Sequence, residues 1–158
     1  MPPLADGEQA ECASDFISSA SVTSRTEKLD TSHATITVTR VQMTLQLRIN
    51  IWVPQGVSQH VMDHEEGHRQ ISEHFYESAE AIARQVAAGY IGKKVSVSGA
   101  DLGAETDRAL QRLSAEVTDE YGRKVSAEAA QLRFDEITDH ARNEVAASDA
   151  VAQVLGGR

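Results

Sequence analysis

The sequence predicts an α+β protein, mainly α, in which a small antiparallel β segment precedes a long helix and further C-terminal helices. Two observations carry this prediction. From Val41 to Val53 apolar and polar residues alternate, which is the pattern of a strand buried on one face. From Val57 to Ala88, and again from Ala104 to Val154, apolar residues recur every three or four positions, which is typical of amphipathic helices.

The N-terminal part carries weaker signals than the rest of the chain. Residues 1–14 contain two prolines and several small residues, so we expect a flexible segment there. The Ser/Thr-rich stretch from Phe16 to Lys28 favours a short strand followed by a loop. The length of 158 residues predicts that residues 15–158 form a single domain with its own core.

The main β region extends from Ala34 to Val53, where Pro54 ends it. Its apolar residues change parity near Arg40. Because a slip by one residue would turn every later side chain to the other face, we expect either a bulge or a turn between two strands at this point. A further short strand is expected at Lys94 to Val97, and a kink or split near Gly122 in the C-terminal helical region.

Composition excludes several classes of protein. A net charge of -9 and a pI of about 5.1 argue against nucleic-acid binding, because no basic cluster is present to neutralise phosphates. No apolar run approaches the roughly 20 residues that span a bilayer, and the N-terminus lacks the apolar core of a signal peptide, so we expect no membrane span. Cys12 is the only cysteine, which excludes an intramolecular disulfide and cysteine-based zinc sites.

The strongest functional signal is a His-Glu-x-x-His motif formed by His64, Glu65 and His68. Two imidazoles four residues apart lie on one face of a helix and can bind the same zinc ion, and the glutamate beside them can act as general base on a zinc-bound water. Random placement of the histidines and glutamates of this chain gives roughly 0.02 expected matches. Both histidines also fall in the apolar stripe of their helix, which argues against solvated side chains. Buried histidines are satisfied either by hydrogen bonds or by a metal, and two adjacent imidazoles with a glutamate beside them are easier to satisfy with a cation.

A catalytic zinc ion needs a third protein ligand. His74 is expected to lie about 9 Å further along the helix than His68, which is too far to share an ion. Glu136, Asp139 and His140, near the apolar line of the last helical region, are all candidates. Of these three we favour His140.

A second motif includes that histidine and reads Phe134-Asp135-Glu136-Ile137-Thr138-Asp139-His140-Ala141. Together with His64-Glu65-Glu66-Gly67-His68, and with a β segment that ends in proline ahead of it, this motif resembles the predicted secreted zinc-dependent proteases of bacteria. The resemblance covers roughly residues 35 to 150. That family has a tyrosine where this chain has Phe134 and a glycine where it has Ala141.

The resemblance implies a zincin-like fold, one zinc ion per chain, a peptidase-like site and a secreted or periplasmic location. It also implies a functional role for His140. Asp135, Thr138 and, more weakly, Glu136 fit roles behind the ligands, where a carboxylate or hydroxyl fixes the orientation of a ligating ring.

We therefore expect a zinc metallopeptidase that acts on peptides or proteins, with zinc bound by His64, His68 and His140 and with Glu65 as general base. Two other classes remain open. The first is a zinc-binding helical scaffold without catalysis, and the second is a plain helical module in which the motif is accidental. Zinc content distinguishes the plain helical module from the two classes that bind zinc. The effect of a Glu65→Gln substitution on cleavage distinguishes the peptidase from the scaffold without catalysis.

Overall fold

The computed structural model describes residues 9–156 and confirms the predicted α+β class with a small antiparallel sheet. Its elements, in chain order, are β1 (Glu11–Lys28), β2 (His33–Trp52), α1 (Gln59–Tyr76), α2 (Ala79–Tyr90), β3 (Lys94–Ser98), α3 (Leu102–Val125), α4 (Glu128–Thr138) and α5 (Ala147–Gly156). Within residues 9–156, no helix combines the length and the apolar character needed to cross a bilayer.

The strand order in the sheet is β1-β2-β3. β3 pairs antiparallel with the first part of β2, from His33 opposite Ser98 to Thr37 opposite Lys94. The short strand predicted near Lys94 is therefore confirmed.

β2 is one continuous strand, and its buried face changes at Thr39 and Arg40. The apolar residues before this point, such as Ile36 and Val38, are buried, whereas Thr39 and Arg40 are both exposed. Alternation then resumes with the opposite parity from Val41. The predicted change of parity is thus present, and the alternative of two strands separated by a turn is wrong.

β1 is much longer than the sequence predicts. It begins at Glu11, so residues 11–14 belong to a strand and not to a flexible segment, and it continues through the stretch for which a loop was expected, up to Lys28. Serine and threonine side chains fit a strand that is partly exposed along its length, which explains why their abundance misleads here. Residues 1–8 of the predicted flexible segment lie outside the described residues.

The long helix predicted from Val57 to Ala88 is in fact two helices. Ser58 caps the start of α1, where its side chain accepts a hydrogen bond from the backbone N–H of Val61. α1 ends at Tyr76. The Ser78 hydroxyl donates a hydrogen bond to the Phe75 carbonyl at 3.0 Å and so gives a partner to a carbonyl in the last turn of the helix.

The C-terminal helical region also breaks, because α3 ends at Val125, three residues after Gly122. The split predicted near Gly122 is therefore confirmed. α4 then ends at Thr138, and Asp139, His140 and Ala141 all have positive φ angles of 48°, 52° and 62°. This run of three left-handed residues interrupts the helix that the apolar line through Ala141 predicted.

The chain divides into two compact units, each made of separate segments. Among residues 9–156, the helical unit comprises the segment that ends at Phe16, Leu47–Ser78 and the segment that begins at Ser126, and the sheet unit comprises Ile17–Gln46 and Ala79–Val125. In the helical unit α1 packs against α4 and α5, and its core consists of Ile71, Ala127, Phe134, Ala147, Ala150 and Val151. In the sheet unit α3 packs against α2 and β3 around Val22, Ala34, Ile36, Val38, Val86, Val97, Ala109, Leu113 and Val117. The single domain expected from the chain length stays a prediction.

Candidate metal centre

All the residues of the candidate site belong to the helical unit, and α1 supplies three of them. His64 and Glu65 are buried, with 6% and 5% of their surface exposed, and the His68 side chain is 14% exposed. The predicted position of both histidines on the inner face of the helix is therefore confirmed. Because they are one turn apart, their ring centroids lie 4.7 Å from each other.

Gly67 explains how α4 can approach α1 closely at this point. A Cβ atom on Gly67 would lie 2.4 Å from Cζ of Phe134, a distance that real Cβ atoms essentially never show. The absence of a side chain lets the fully buried Phe134 ring fit against the helix. That ring stacks on His64 and meets His68 edge-on, with both centroid distances 4.9 Å. Phe134, which can approach α1 because residue 67 is a glycine, thus packs against both imidazole rings.

Asp135, the next residue on α4, brings a carboxylate to both histidines. Its Oδ1 atom lies 3.0 Å from Nε2 of His68 and 3.3 Å from Nε2 of His64, and the two Nε2 atoms are 3.1 Å apart. These three residues, all in the part of the chain that the structure describes, form a group that could hold a metal ion.

Thr138 fixes the proton on His64. The Thr138 hydroxyl is 2.9 Å from the Phe134 carbonyl, which can only accept, so the hydroxyl donates its hydrogen there. Its oxygen is also 3.2 Å from Nδ1 of His64 and must accept from it. Nδ1 of His64 therefore carries the hydrogen, and its Nε2 offers a lone pair. Thr138 thus contacts the ring of a candidate ligand, and the orienting role that the sequence predicts for it stays a prediction.

Gln131 plays the equivalent part for His68. Its side-chain oxygen Oε1 lies 2.6 Å from Nδ1 of His68, and an amide oxygen can only accept a hydrogen bond. Nδ1 of His68 therefore carries the hydrogen as well. Nε2 of His68 faces the same point as Nε2 of His64 and Oδ1 of Asp135.

Three acceptors thus meet at one point, and a cation or an additional proton is needed to hold them together. The charges agree with this requirement. Burial opposes protonation of His68, but its hydrogen bonds with Asp135 and Gln131 outweigh burial and raise the pKa of the ring. Burial also disfavours a charged Asp135, yet its hydrogen bonds with His64 and His68 lower the pKa of that carboxyl well below its usual range. The site is therefore built to hold a positive charge.

His140, favoured by the sequence as the third ligand, lies beside this group without being part of it. Its Nδ1 atom is 3.6 Å from Oδ1 of Asp135, and its side chain is 45% exposed. The reason is local: α4 ends at Thr138, so His140 stands on the left-handed turn and not on the inner face of the helix. Its backbone N–H still donates to the Asp135 carbonyl at 3.3 Å, which keeps it close to the site.

Two other candidates from the sequence lie away from the group. Glu136 is 69% exposed and pairs with Arg133 at 3.2 Å, because consecutive residues of a helix point in different directions. His74 is 39% exposed and lies 3.9 Å from Glu77, in agreement with its predicted place on the helix surface.

Gln131 is the functional residue that the sequence did not reveal, and Asp135 comes closer to the histidines than predicted. The available signal was spacing: Gln131, Asp135 and Thr138 follow one another at intervals of four and three residues, so they form a polar line on one face of α4. The apolar residues Phe134 and Ile137 lie beside this polar line on the same helix.

Cys12 lies on β1 and is partly buried, not part of a flexible segment. Burial, with the negative charge of Glu65 as the next contribution, raises the pKa of its thiol to about 11. A thiol with this pKa stays protonated at neutral pH and is a poor metal ligand.

Comparison of the chain with protein-family models, with curated proteins and with solved structures found no match. The resemblance to the predicted secreted zinc-dependent proteases of bacteria therefore stays a prediction that rests on the two motifs.

Proposed function

We propose that this protein is a zinc-dependent metallopeptidase in which His64, His68 and Asp135 hold the metal and Glu65 is the general base. The observation that carries the proposal is the meeting of two imidazole lone pairs and a carboxylate oxygen at distances of 3.0 to 3.3 Å. The His-Glu-x-x-His motif and its resemblance to a protease family add to it.

The spacing of the three atoms suits zinc. Bonds of about 2.0–2.1 Å in a tetrahedral site imply ligand atoms about 3.3–3.4 Å from one another, close to the distances between these atoms. Three protein ligands leave the fourth position of such a site for water or substrate, as in catalytic zinc enzymes. A bound zinc ion would polarise the scissile carbonyl and lower the pKa of water.

Glu65 is the residue that would move protons in this site. It is buried on α1 next to His64, and its negative charge is one of the contributions that raise the pKa of the His68 ring, which supports a place for it in the proposed site. In the proposed reaction Glu65 takes a proton from the attacking water and passes it to the leaving amine. The peptide bond is cleaved, and one water molecule is consumed.

Asp135 is preferred to His140 as third ligand because its oxygen already lies within 3.3 Å of both imidazole nitrogens. The sequence favoured His140, and the resemblance gave it a functional role. Substitution separates the two. We expect Asp135→Ala to lower zinc affinity by at least about 100-fold, and His140→Ala to lower it by much less. A larger loss for His140→Ala would return His140 to the ligand set.

Two imidazoles and one carboxylate also form the site of ferrous oxygenases, so the metal itself must be identified. Glu65 favours zinc and hydrolysis, because a carboxylate beside the two histidine ligands acts as the general base in zinc peptidases. Metal analysis of the purified protein should find about one equivalent of zinc per chain. His64→Ala and His68→Ala should lose it, whereas His74→Ala, a histidine change on the surface of the same helix, should keep it. Zinc retained by both ligand variants would refute the site.

Catalysis is tested by Glu65→Gln, with Glu66→Gln as the matched control on the neighbouring, partly exposed glutamate. Cleavage of a fluorescently labelled unfolded protein should fall by at least about 100-fold in Glu65→Gln while its zinc content is unchanged. Glu66→Gln should cleave like the wild type. Equal cleavage by wild type and Glu65→Gln would refute the assigned base.

Zinc binding without cleavage in the wild type would instead favour the helical scaffold. Activity in an exported form of the protein would agree with the secreted or periplasmic location that the resemblance implies.

A further inference from the structure

Gln131 makes three hydrogen bonds with α1 through one side-chain amide. Its Nε2 atom donates to the backbone carbonyl of His68 at 3.0 Å and to the Ser72 hydroxyl at 2.8 Å, and its Oε1 atom accepts from Nδ1 of His68 at 2.6 Å. One residue of α4 thus contacts both the main chain and the ring of a proposed metal ligand.

These contacts leave the amide only one orientation. The His68 carbonyl is an acceptor without a hydrogen, so the amide nitrogen and not the amide oxygen must face it. The oxygen then faces Nδ1, which must donate. The His68 carbonyl therefore determines, through Gln131, which nitrogen of the His68 ring carries the hydrogen.

Ser72 holds the amide in place from the other side. It is fully buried, and its Oγ atom contacts the His68 carbonyl at 3.1 Å and Oγ of Ser14 on β1 at 2.7 Å. Because both hydrogens of the Gln131 amide have acceptors in this partly buried region, rotation of the amide would leave polar groups unpaired.

Asp135 acts in the opposite direction on the same ring. Its carboxylate lies 3.0 Å from Nε2 of His68 and would accept a hydrogen from that nitrogen. In metal-free protein with a neutral ring, Asp135 thus favours the hydrogen on Nε2, whereas Gln131 favours it on Nδ1. A metal can bind only when Nε2 is free of hydrogen.

We propose that Gln131 is a positioning residue that keeps the hydrogen of His68 on Nδ1 and so leaves Nε2 ready for the metal. The predicted effect on metal affinity rests on the proposed function. The position of the hydrogen on the His68 ring can be measured in metal-free protein, so this part of the proposal is tested independently of zinc binding.

Ring nitrogen chemical shifts from ¹⁵N NMR provide the direct test, in metal-free protein at a pH where the His68 ring is neutral. We expect the hydrogen on Nδ1 in the wild type and on Nε2 in Gln131→Met, which keeps the length of the side chain but cannot accept. Gln131→Glu still offers an oxygen to Nδ1 and should keep the hydrogen there, although its second oxygen cannot donate to the His68 carbonyl as the amide nitrogen does. Gln70→Met, the same change at an exposed glutamine of α1, should also keep the hydrogen on Nδ1.

Zinc affinity, measured by competition with a coloured chelator, is the second readout. Gln131→Met should bind zinc about 10- to 100-fold more weakly than the wild type, the range found for residues that orient metal ligands. Gln70→Met should stay within a few-fold of the wild type, and Gln131→Glu should lose less zinc affinity than Gln131→Met because it still accepts from Nδ1.

The proposal is overturned if the wild type carries the hydrogen on Nε2, or if Gln131→Met keeps it on Nδ1. Equal losses of zinc affinity in Gln131→Met and Gln131→Glu would also overturn it, because a packing role does not distinguish an acceptor from a methyl group. If the wild type binds no zinc, the proposed function fails and the ring measurement alone decides the role of Gln131. If Gln131→Met does not fold, the wild type and Gln131→Glu still give the NMR result.

Discussion

The two units of the chain have cores of different chemistry. The core of the sheet unit consists of aliphatic side chains, among them the fully buried Ile36 and Val117. The sheet unit also buries the hydroxyl of Tyr121. The helical unit has an apolar core too, but it contains four further buried polar residues among residues 9–156, namely His64, Glu65, Ser72 and Thr138. Three of these four residues take part in the candidate metal site. His64 is a proposed ligand, Thr138 lies within hydrogen-bond distance of its ring, and Ser72 accepts a hydrogen bond from Gln131.

If the proposed function holds, this difference separates residues that stabilise the fold from residues that form the metal site. An aliphatic core is stabilised by burial alone, at about 25 cal/mol per Å². Buried polar groups contribute much less to folding, and they remain in a core only when every one of them has a partner. A network that surrounds three converging acceptors therefore indicates a task other than folding.

The largest effect should come from Phe134, which belongs to the core of the helical unit and also contacts both histidines. We expect Phe134→Ala to lower the free energy of unfolding by about 3–5 kcal/mol, because it empties a fully buried site. Its zinc affinity should fall about 10-fold, because the rings lose their support. Urea unfolding of metal-free protein and zinc titration measure the two quantities.

Ile36→Ala is the comparison in the sheet unit. It should cost about 2–5 kcal/mol in the free energy of unfolding and leave zinc affinity nearly unchanged, since its packing partners are aliphatic residues of that unit. If both variants lose zinc affinity to the same extent, the separation of the two cores by function is wrong.

A smaller effect, of opposite sign in the two units, is expected for glycines inside helices. Gly67→Ala should lower the free energy of unfolding by about 1–2 kcal/mol, because overpacking against Phe134 exceeds the gain in helix propensity. Gly122→Ala in α3 should raise it by about 0.5–1 kcal/mol, since a Cβ atom there would meet nothing within 4 Å. Thermal unfolding of both variants gives the signs, and a stabilising Gly67→Ala would show that Phe134 moves aside easily.

The smallest effect concerns the left-handed turn after α4. Ala141 has a φ of 62°, and replacement by glycine removes a steric cost while adding entropy to the unfolded chain, so Ala141→Gly should stabilise by about 0.5 kcal/mol. Ala115→Gly, at an exposed position in the middle of α3, should destabilise by about 1 kcal/mol. Equal destabilisation by both changes in urea unfolding would mean that the turn is not strained in solution.

Periodicity predicted those parts of the structure in which one face of an element is buried. It placed His64 and His68 on the inner face of α1 and located the parity change in β2 at Arg40. It could not show where helices end, because the ends depend on single hydrogen bonds such as the one from Ser78 to Phe75. The predicted helix through residue 88 was too long for this reason.

The site was predicted in part for the same reason. Residues that belong to one helix turn, such as His64, Glu65 and His68, are fixed by spacing alone. The partners from α4 depend on how two helices approach each other, and this approach is set by Gly67 and Phe134, residues 67 positions apart in the chain. Spacing within α4 could group Gln131 with Asp135 but could not show that the pair faces the histidines.

The left-handed turn has a stereochemical consequence. Asp139, His140 and Ala141 adopt the backbone conformation that residues of mirror-image configuration prefer. A D-alanine introduced at position 141 by chemical ligation would keep a methyl group and still adopt this conformation without the clash that L-alanine meets. Glycine removes the methyl group and the clash together, whereas the D-residue removes only the clash. At position 141, near the proposed metal centre, the backbone conformation therefore suits D-alanine better than the natural L-alanine.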